Sequence, residues 1–359
     1  MYKIYYKYLI NNFISKFLNI SLIFFSLVFI LNILEEITFL KDLNKPFYYP
    51  YLLTLLKAPV TLFEIFPFIF LLSTQFLFYE LMTNKEIDLL KANGVSNLKI
   101  AKILFFLSIF IGIFNVMIYY NIASKLNFYY SDLKNKLSND NKYLAMVIDS
   151  GLWIKDEINN KTYIINSELI NKNILSNTII NEFDDNFNLI RTIQSEKIDI
   201  SQNKWVILNP LVTKDNITSR NESNIFLETN FNEQAINNLF SNISTLDILK
   251  ILNLMDNYKK IGYSTDDLYL QIFKLSVMPL FYGILTVLST IIMFNISINK
   301  PLILHIALGI LLSVIIYYIN FLFGSLGSNG KIPIITSVMF PIIILSIVSI
   351  IGLVDLNEK

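Results

Sequence analysis

Apolar residues run through six stretches of the chain almost without a break: residues 17–34, 58–79, 103–123, 275–298, 301–323 and 332–354. Five carry no charge, and the second carries only Glu64. A bilayer core about 30 Å thick is crossed by roughly 20 helical residues. Backbone polar groups in lipid must be satisfied within the segment, so each stretch predicts a membrane-spanning helix, with ends reaching beyond the spans given. No small-residue cleavage site follows the first stretch, which therefore reads as a retained anchor.

Between the third and fourth stretches the pattern changes. Short apolar runs at 144–148, 152–154, 163–165, 189–190 and 205–208 alternate with turn-type clusters at 159–160, 184–186 and 202–203. Short runs punctuated in this way predict an antiparallel all-β domain. Over 245–258, Leu246, Leu249, Ile251, Leu252 and Leu254 predict a short amphipathic helix returning to the membrane. The expected fold is a six-helix membrane bundle of 3+3 design with an inserted all-β domain. Residues 1–123 carry the first three helices, 124–265 the β domain with its helical return, and 266–359 the last three helices.

Composition supports a membrane class. The chain is 54% hydrophobic and 16% charged, with a mean hydropathy of +0.52. That is more apolar than ordinary soluble domains. A net charge of +1 excludes the basic field of a nucleic-acid binder. The absence of cysteine excludes disulfides, thiol catalysis and cysteine metal sites. His305 is the only histidine and lies in an apolar stretch, so neither a histidine zinc site nor a Ser-His-Asp triad is available. The segment 324–331 (GSLGSNGK) resembles a phosphate-binding loop but fails it: Ser325 replaces the first glycine, Ile332 the Ser/Thr, and Pro333 follows. No catalytic, metal or cofactor-binding residue is assigned. Energy-driven work would need ATP used by another subunit.

Lysines in short loops orient the chain. One side collects Lys3, Lys7, Lys16, Lys85, Lys91, Lys99, Lys102, Lys300 and Lys359, the other Lys41, Lys45 and Lys331. This excess places both termini in the cytoplasm and the β domain outside, in the periplasm of a Gram-negative cell.

The most informative cytoplasmic piece lies between the second and third membrane helices. Thr83 and Glu86 have capping-box spacing. Gly94 suits the left-handed position that ends a helix, and Ser96 can cap the next one. A short helix over 84–93 is expected, with Ile87 and Leu90 on one face and Glu86 and Lys91 flanking it. Two readings stand: a helix lying on the lipid interface, or a docking helix for a groove on a cytoplasmic partner. Glu64, three residues before Pro67, is either a functional intramembrane acid or a boundary residue reaching water. Lys41 and Lys45, beyond Glu35 and Glu36, form either a solvated loop or a contact with anionic lipid head groups. Pro279, Pro301, Pro333 and Pro341 are expected to kink or start the last three helices.

Several strings resemble the permease family of the lipopolysaccharide export transporter (LptF/LptG, or YjgP/YjgQ). Residues 64–67 (EIFP) resemble its Glu-Leu-Leu-Pro, and residues 85–96 (KEIDLLKANGVS) its cytoplasmic coupling segment. Residues 151–154 (GLWI) and 204–208 (KWVIL) resemble two tryptophan-bearing strands of its periplasmic domain. Residues 274–280 (KLSVMPL) and 327–333 (GSNGKIP), with Pro341, resemble its fourth and last helices. The resemblance covers nearly the whole chain. Residues 71–79 (LLSTQFLFY) are bulky where the family is often glycine-rich, and an arginine expected after the fourth helix is absent, with Lys300 nearby. The first helix ending in Glu35-Glu36 and the amphipathic lead into the fourth look more like the G than the F subunit.

The resemblance implies a permease of an ABC transporter in the bacterial inner membrane. It would extract lipopolysaccharide and pass it through a β-jellyroll-like periplasmic domain. Implied partners are a second permease, a cytoplasmic ATPase dimer and a periplasmic bridge protein. Glu86, Ile87, Leu89, Leu90 and Gly94 fall in the ATPase-docking segment, Lys41 and Lys45 meet lipid head groups, and Glu64 is an intramembrane acid. Two alternatives compete with this reading. An ABC permease for lipoproteins or another lipid usually has one helix before its insert. A membrane-anchored sensor needs a cytoplasmic output domain longer than any segment here.

Overall fold

The computed structural model describes residues 4–41, 43, 45–137, 152–158, 161–171, 173–185, 187–214, 217–220, 223–229, 231, 243–260, 265–295 and 302–358. The expected apolar run at 144–148, together with Lys3, Gly151, the 159–160 turn, Asn186, Lys300, Pro301 and Lys359, lies outside these residues, as does the side chain of His305. The chain divides into two compact units, one of residues 1–128 with 266–359 and one of residues 129–265.

The first unit holds α1 (Ile4–Leu40), α2 (Tyr49–Thr83), α3 (Glu86–Ala92) and α4 (Asn97–Phe114). A π-helical turn (Asn115–Tyr119) joins α4 to α5 (Tyr120–Leu137), whose last residues belong to the second unit. After α6 of the second unit (Ile248–Lys260) follow α7 (Asp266–Asn295), α8 (Leu302–Ser328) and α9 (Ile334–Glu358). Among the described residues six helices are long and apolar enough to cross a membrane. They outrun the apolar windows. The fourth begins at Asp266, because Asp266 and Asp267 in its first turn complement the helix dipole and extend it into polar sequence.

Aromatic rings pack α1 on α2: Phe17 stacks on Phe66 at 5.9 Å and meets Phe70 at 4.8 Å. Phe70 in turn stacks on Tyr282 of α7 at 4.4 Å. Helix α4 crosses α7 closely at Gly112, where a Cβ would come within 2.8 Å of the Pro279 Cα. Small residues permit such approach in membranes, and the Ser108–Thr286 hydroxyl pair at 2.7 Å seals the crossing. Pro59, Pro67, Pro279 and Pro341 all lie inside helices.

The second unit is an antiparallel β-sheet with strands β1 (Leu152–Ile158), β2 (Lys161–Asn171), β3 (Ile174–Phe183), β4 (Leu189–Asp199), β5 (Lys204–Leu208), β6 (Leu211–Lys214), β7 (Ile217–Arg220) and β8 (Ile225–Glu228). The order is β1-β2-β3-β4-β5-β8, with β6 pairing β4 and β7. Alternate residues turn inward, as a period of two requires. Ile154, Ile165, Leu175, Ile180, Ile193, Ile198, Trp205 and Ile207 form its core. Trp205 is fully buried and its indole N–H donates to the Phe231 carbonyl at 2.7 Å. Trp153, the other tryptophan, is exposed.

The helix expected over 245–258 is α6, capped by Asp247, whose carboxylate accepts from the Lys250 N–H at 2.9 Å. Its apolar stripe is narrower than the sequence suggests. Ile251 and Leu254, three apart, are buried, while Leu249 and Leu252 are exposed on another face.

Candidate functional site

The segment joining α2 to α4 is built from two different turns. Asn84 closes α2, its N–H donating to the Glu80 carbonyl at 3.0 Å, and the Lys85 N–H donates to the Met82 carbonyl at 3.0 Å. Lys85 then takes a left-handed conformation with φ 58°. Helix α3 therefore starts at Glu86 and spans Glu86–Ala92, shorter than the expected 84–93. The capping box does not form. Thr83 is the last residue of α2, and its hydroxyl donates to the Tyr79 carbonyl at 2.7 Å instead of capping α3.

The far end of α3 follows the sequence. Gly94 is left-handed with φ 79°. Its N–H donates to the Lys91 carbonyl at 2.9 Å, and the Val95 N–H reaches the Leu90 carbonyl at 3.0 Å. This pair of bonds, with Val95 buried beneath, is a Schellman stop. No neighbour crowds a Cβ at Gly94, so its need for glycine is conformational, not steric. Ser96 then caps α4 by accepting from the Lys99 N–H at 3.3 Å.

These ends orient α3. Ile87 is 5% exposed and Leu90 is half-buried, while Leu89 is 62% exposed, flanked by exposed Asp88 and Lys91. The face open to a partner is therefore centred on Leu89. The Lys91 ammonium lies 5.8 Å from the centre of the Phe294 ring on α7. Glu86 is turned toward α1: its carboxylate accepts from the Tyr8 hydroxyl at 2.5 Å and from the Asn84 amide at 3.4 Å.

At the opposite end of α1, Lys41 and Lys45 are both exposed. Glu35 pairs with Lys57 of α2 at 2.7 Å, a contact the sequence did not announce. Glu64 is exposed on α2. Among the described residues no cluster of three or more His, Cys, Asp or Glu side chains could hold a metal.

Several hydroxyls buried inside the first unit share one pattern. Thr74, Thr286, Thr290 and Ser313 donate to carbonyls four residues back in their own helices, at 2.8, 2.9, 2.8 and 2.9 Å. Ser289 instead bridges α7 to α2 through the Leu71 carbonyl at 2.9 Å. Gln75 departs from this pattern, as do Ser73, Asn115 and Tyr282. Gln75 is buried, neither amide atom has a hydrogen-bond partner, and it fits only because residue 309 on α8 is glycine.

The arrangement is a set of helices of membrane-crossing length, a short stopped helix between two of the spans, and a β unit. A search of curated proteins finds no match. A family model does match: the lipopolysaccharide export system permease LptF/LptG, over residues 7–354. The chain belongs to this family, and is thus a permease of lipopolysaccharide export and a multi-pass protein of the inner membrane.

Proposed function

We propose that this permease pairs with a second member of its family and takes its energy from a cytoplasmic ATPase dimer that docks on α3. The observation that carries the reading is α3 itself, a helix stopped by Gly94 that turns Leu89 outward between two membrane helices. An apolar anchor flanked by charges suits a groove on a partner better than a lipid surface, which favours a continuous apolar face. Glu86, Ile87, Leu90 and Gly94 shape and hold the helix; Leu89 makes the contact.

The lysine distribution supports cytoplasmic termini and a periplasmic β unit. In that orientation Lys41 and Lys45 stand at the outer rim of the bundle. They meet the phosphorylated head group of lipopolysaccharide as it leaves the outer leaflet. The acyl chains need a continuous apolar path, since each CH₂ exposed to water costs about 0.8 kcal/mol. Glu64 is exposed on α2, where an ionisable group at membrane depth is expected to serve transport. ATP binding on the partner closes the cavity between the two permeases. The lipid is driven up to the β unit and on to a periplasmic bridge protein. No cofactor is assigned to this chain. The Glu35-Glu36 end of α1 and the lead into α7 favour the G position in the pair.

Co-expression with the second permease and the ATPase, with purification through a tag on this chain, tests the docking. Wild type is expected to retain the ATPase, and Leu89→Asp to lose it. Loss from the wild type, under conditions where a known complex of this kind survives, would refute the docking.

A further inference from the structure

Glu86 is the first residue of the docking helix, yet its carboxylate is bonded to α1. One oxygen accepts from the Tyr8 hydroxyl of α1 at 2.5 Å, and the other from the Asn84 amide at 3.4 Å. A second tie lies close by: Lys16 of α1 forms an ion pair with Glu80, near the end of α2. On its other side α3 meets α7, where Lys91 sits over Phe294. Phe294 also packs edge-on against Phe78 of α2 at 5.1 Å. The docking helix is thus held from both halves of the bundle.

Helix α1 runs unbroken over 37 residues. At 1.5 Å per residue this is about 55 Å, longer than the bilayer core is thick. It contains no proline and no glycine, the usual causes of a sharp kink. Its inner end carries Tyr8 and Lys16, and Lys41 follows its outer end directly. A displacement of α3 that moves Tyr8 is therefore delivered to Lys41 without an intervening hinge.

We propose that Tyr8 is a positioning residue that fastens the docking helix to α1, beside the Lys16–Glu80 pair that ties α1 to the end of α2, so that closure of the ATPase moves the lysine-bearing outer rim. The proposal rests on the docking reading above. It assigns Glu86 to the fastening and leaves the ATPase contact to Leu89. Tyr8 touches neither lipid nor ATPase in this scheme; it acts through α3 and α1.

The test is made on the full transporter in liposomes with its ATPase and second permease. ATPase retention, ATP turnover and lipopolysaccharide released per ATP are measured separately. Tyr8→Phe removes one hydroxyl and nothing else. It is expected to leave retention and turnover intact and to lower lipid released per ATP roughly tenfold, the worth of one charge-assisted hydrogen bond. Glu86→Gln is expected to lower lipid released per ATP to the same degree, and the double variant no more than either alone. The chain has no cysteine, so Tyr8→Cys with Glu86→Cys can be joined by a short bis-maleimide linker. The linked protein is expected to recover its lipid yield, and the unlinked pair to stay low. A merely structural role for Tyr8 would not give recovery on linking.

Wild-type lipid yield in Tyr8→Phe overturns the proposal. So does loss of the ATPase in Glu86→Gln while Tyr8→Phe behaves as wild type, since Glu86 would then contact the ATPase itself. Absence of the ATPase from the wild-type complex is a different failure, that of the docking reading.

Discussion

The two units handle buried polarity with different partners. The β unit buries a full charge. Glu182 is almost wholly enclosed, and its carboxylate accepts from Lys161 at 2.8 Å and from Arg191 at 2.5 Å. Burial alone would raise its pKa, but the hydrogen bonds and charges of Lys161 and Arg191 outweigh it and hold the carboxyl below its ordinary range. The helix bundle also encloses one carboxylate, Glu36 of α1, but most of its buried polar side chains are hydroxyls, and most of these are returned to the backbone of their own helix. The difference follows from solvent. A sheet beside water can set two cations at the half-exposed edge of a buried acid. A helix in hydrocarbon has its own carbonyls as the nearest partners.

This contrast can be broken most forcefully in the β core. Both tryptophans lie in the β unit, so tryptophan fluorescence of the full chain in detergent, excited beyond the absorption of its 20 tyrosines, reports that unit alone. Trp205→Ala removes the largest fully buried side chain and the closer of two donors to the Phe231 carbonyl, leaving the Thr229 hydroxyl at 3.4 Å. It should cost the unit about 3–5 kcal/mol, read as a lower denaturant midpoint through the remaining Trp153.

A smaller loss comes from the buried acid. Glu182→Gln keeps the shape and removes the charge, leaving Lys161 and Arg191 partly hydrated. A cost of about 2 kcal/mol is expected. The sign with pH is fixed. Because folding lowers the Glu182 pKa, its contribution is present above the unfolded carboxyl value of 4.5 and is lost as pH falls through the lower folded value. The wild type should therefore lose stability in acid faster than Glu182→Gln. Parallel curves would show that the cluster adds nothing.

In the bundle the corresponding test is Gly309→Ala. The added Cβ would lie 2.1 Å from the Gln75 amide oxygen, so a helix or a side chain must move. A loss of about 1–2 kcal/mol is expected in thermal unfolding of the detergent-solubilised chain, with Gln75→Ala in the same protein restoring most of it. The smallest effect is Gln75→Met alone. It replaces an amide lacking partners with an apolar side chain of similar length, and should leave stability unchanged or raise it by about 1 kcal/mol. A clear loss would mean that the amide pairs with something inside the bundle.

Legibility follows the same division. The membrane helices were plain in the sequence because hydrocarbon demands a long apolar run, and that is a local property. The strands at 152–154, 163–165, 189–190 and 205–208 were legible through apolar clusters between turn residues. Their register was not, so Glu182 could not be seen to oppose both Arg191 and Tyr163. In the segment joining α2 to α4, Gly94 and Ser96 act within a few residues of themselves and end α3 and cap α4 as their sequence positions suggest. Thr83 was misread because a threonine can serve the helix behind it as readily as the one ahead. The Tyr8–Glu86 bond joins residues 78 positions apart, and no local pattern announces it. Leu89 and Ile87 are both apolar, and only packing decides which faces outward.

The account turns on α3 as the point where ATP hydrolysis enters this permease. The most direct measurement is release of lipopolysaccharide from liposomes containing this chain, its second permease and the ATPase, with and without ATP, for wild type and Leu89→Asp. The account predicts ATP-dependent release by the wild type and only background release by Leu89→Asp, whose permease pair remains assembled. ATP-dependent release by Leu89→Asp at the wild-type rate would contradict it.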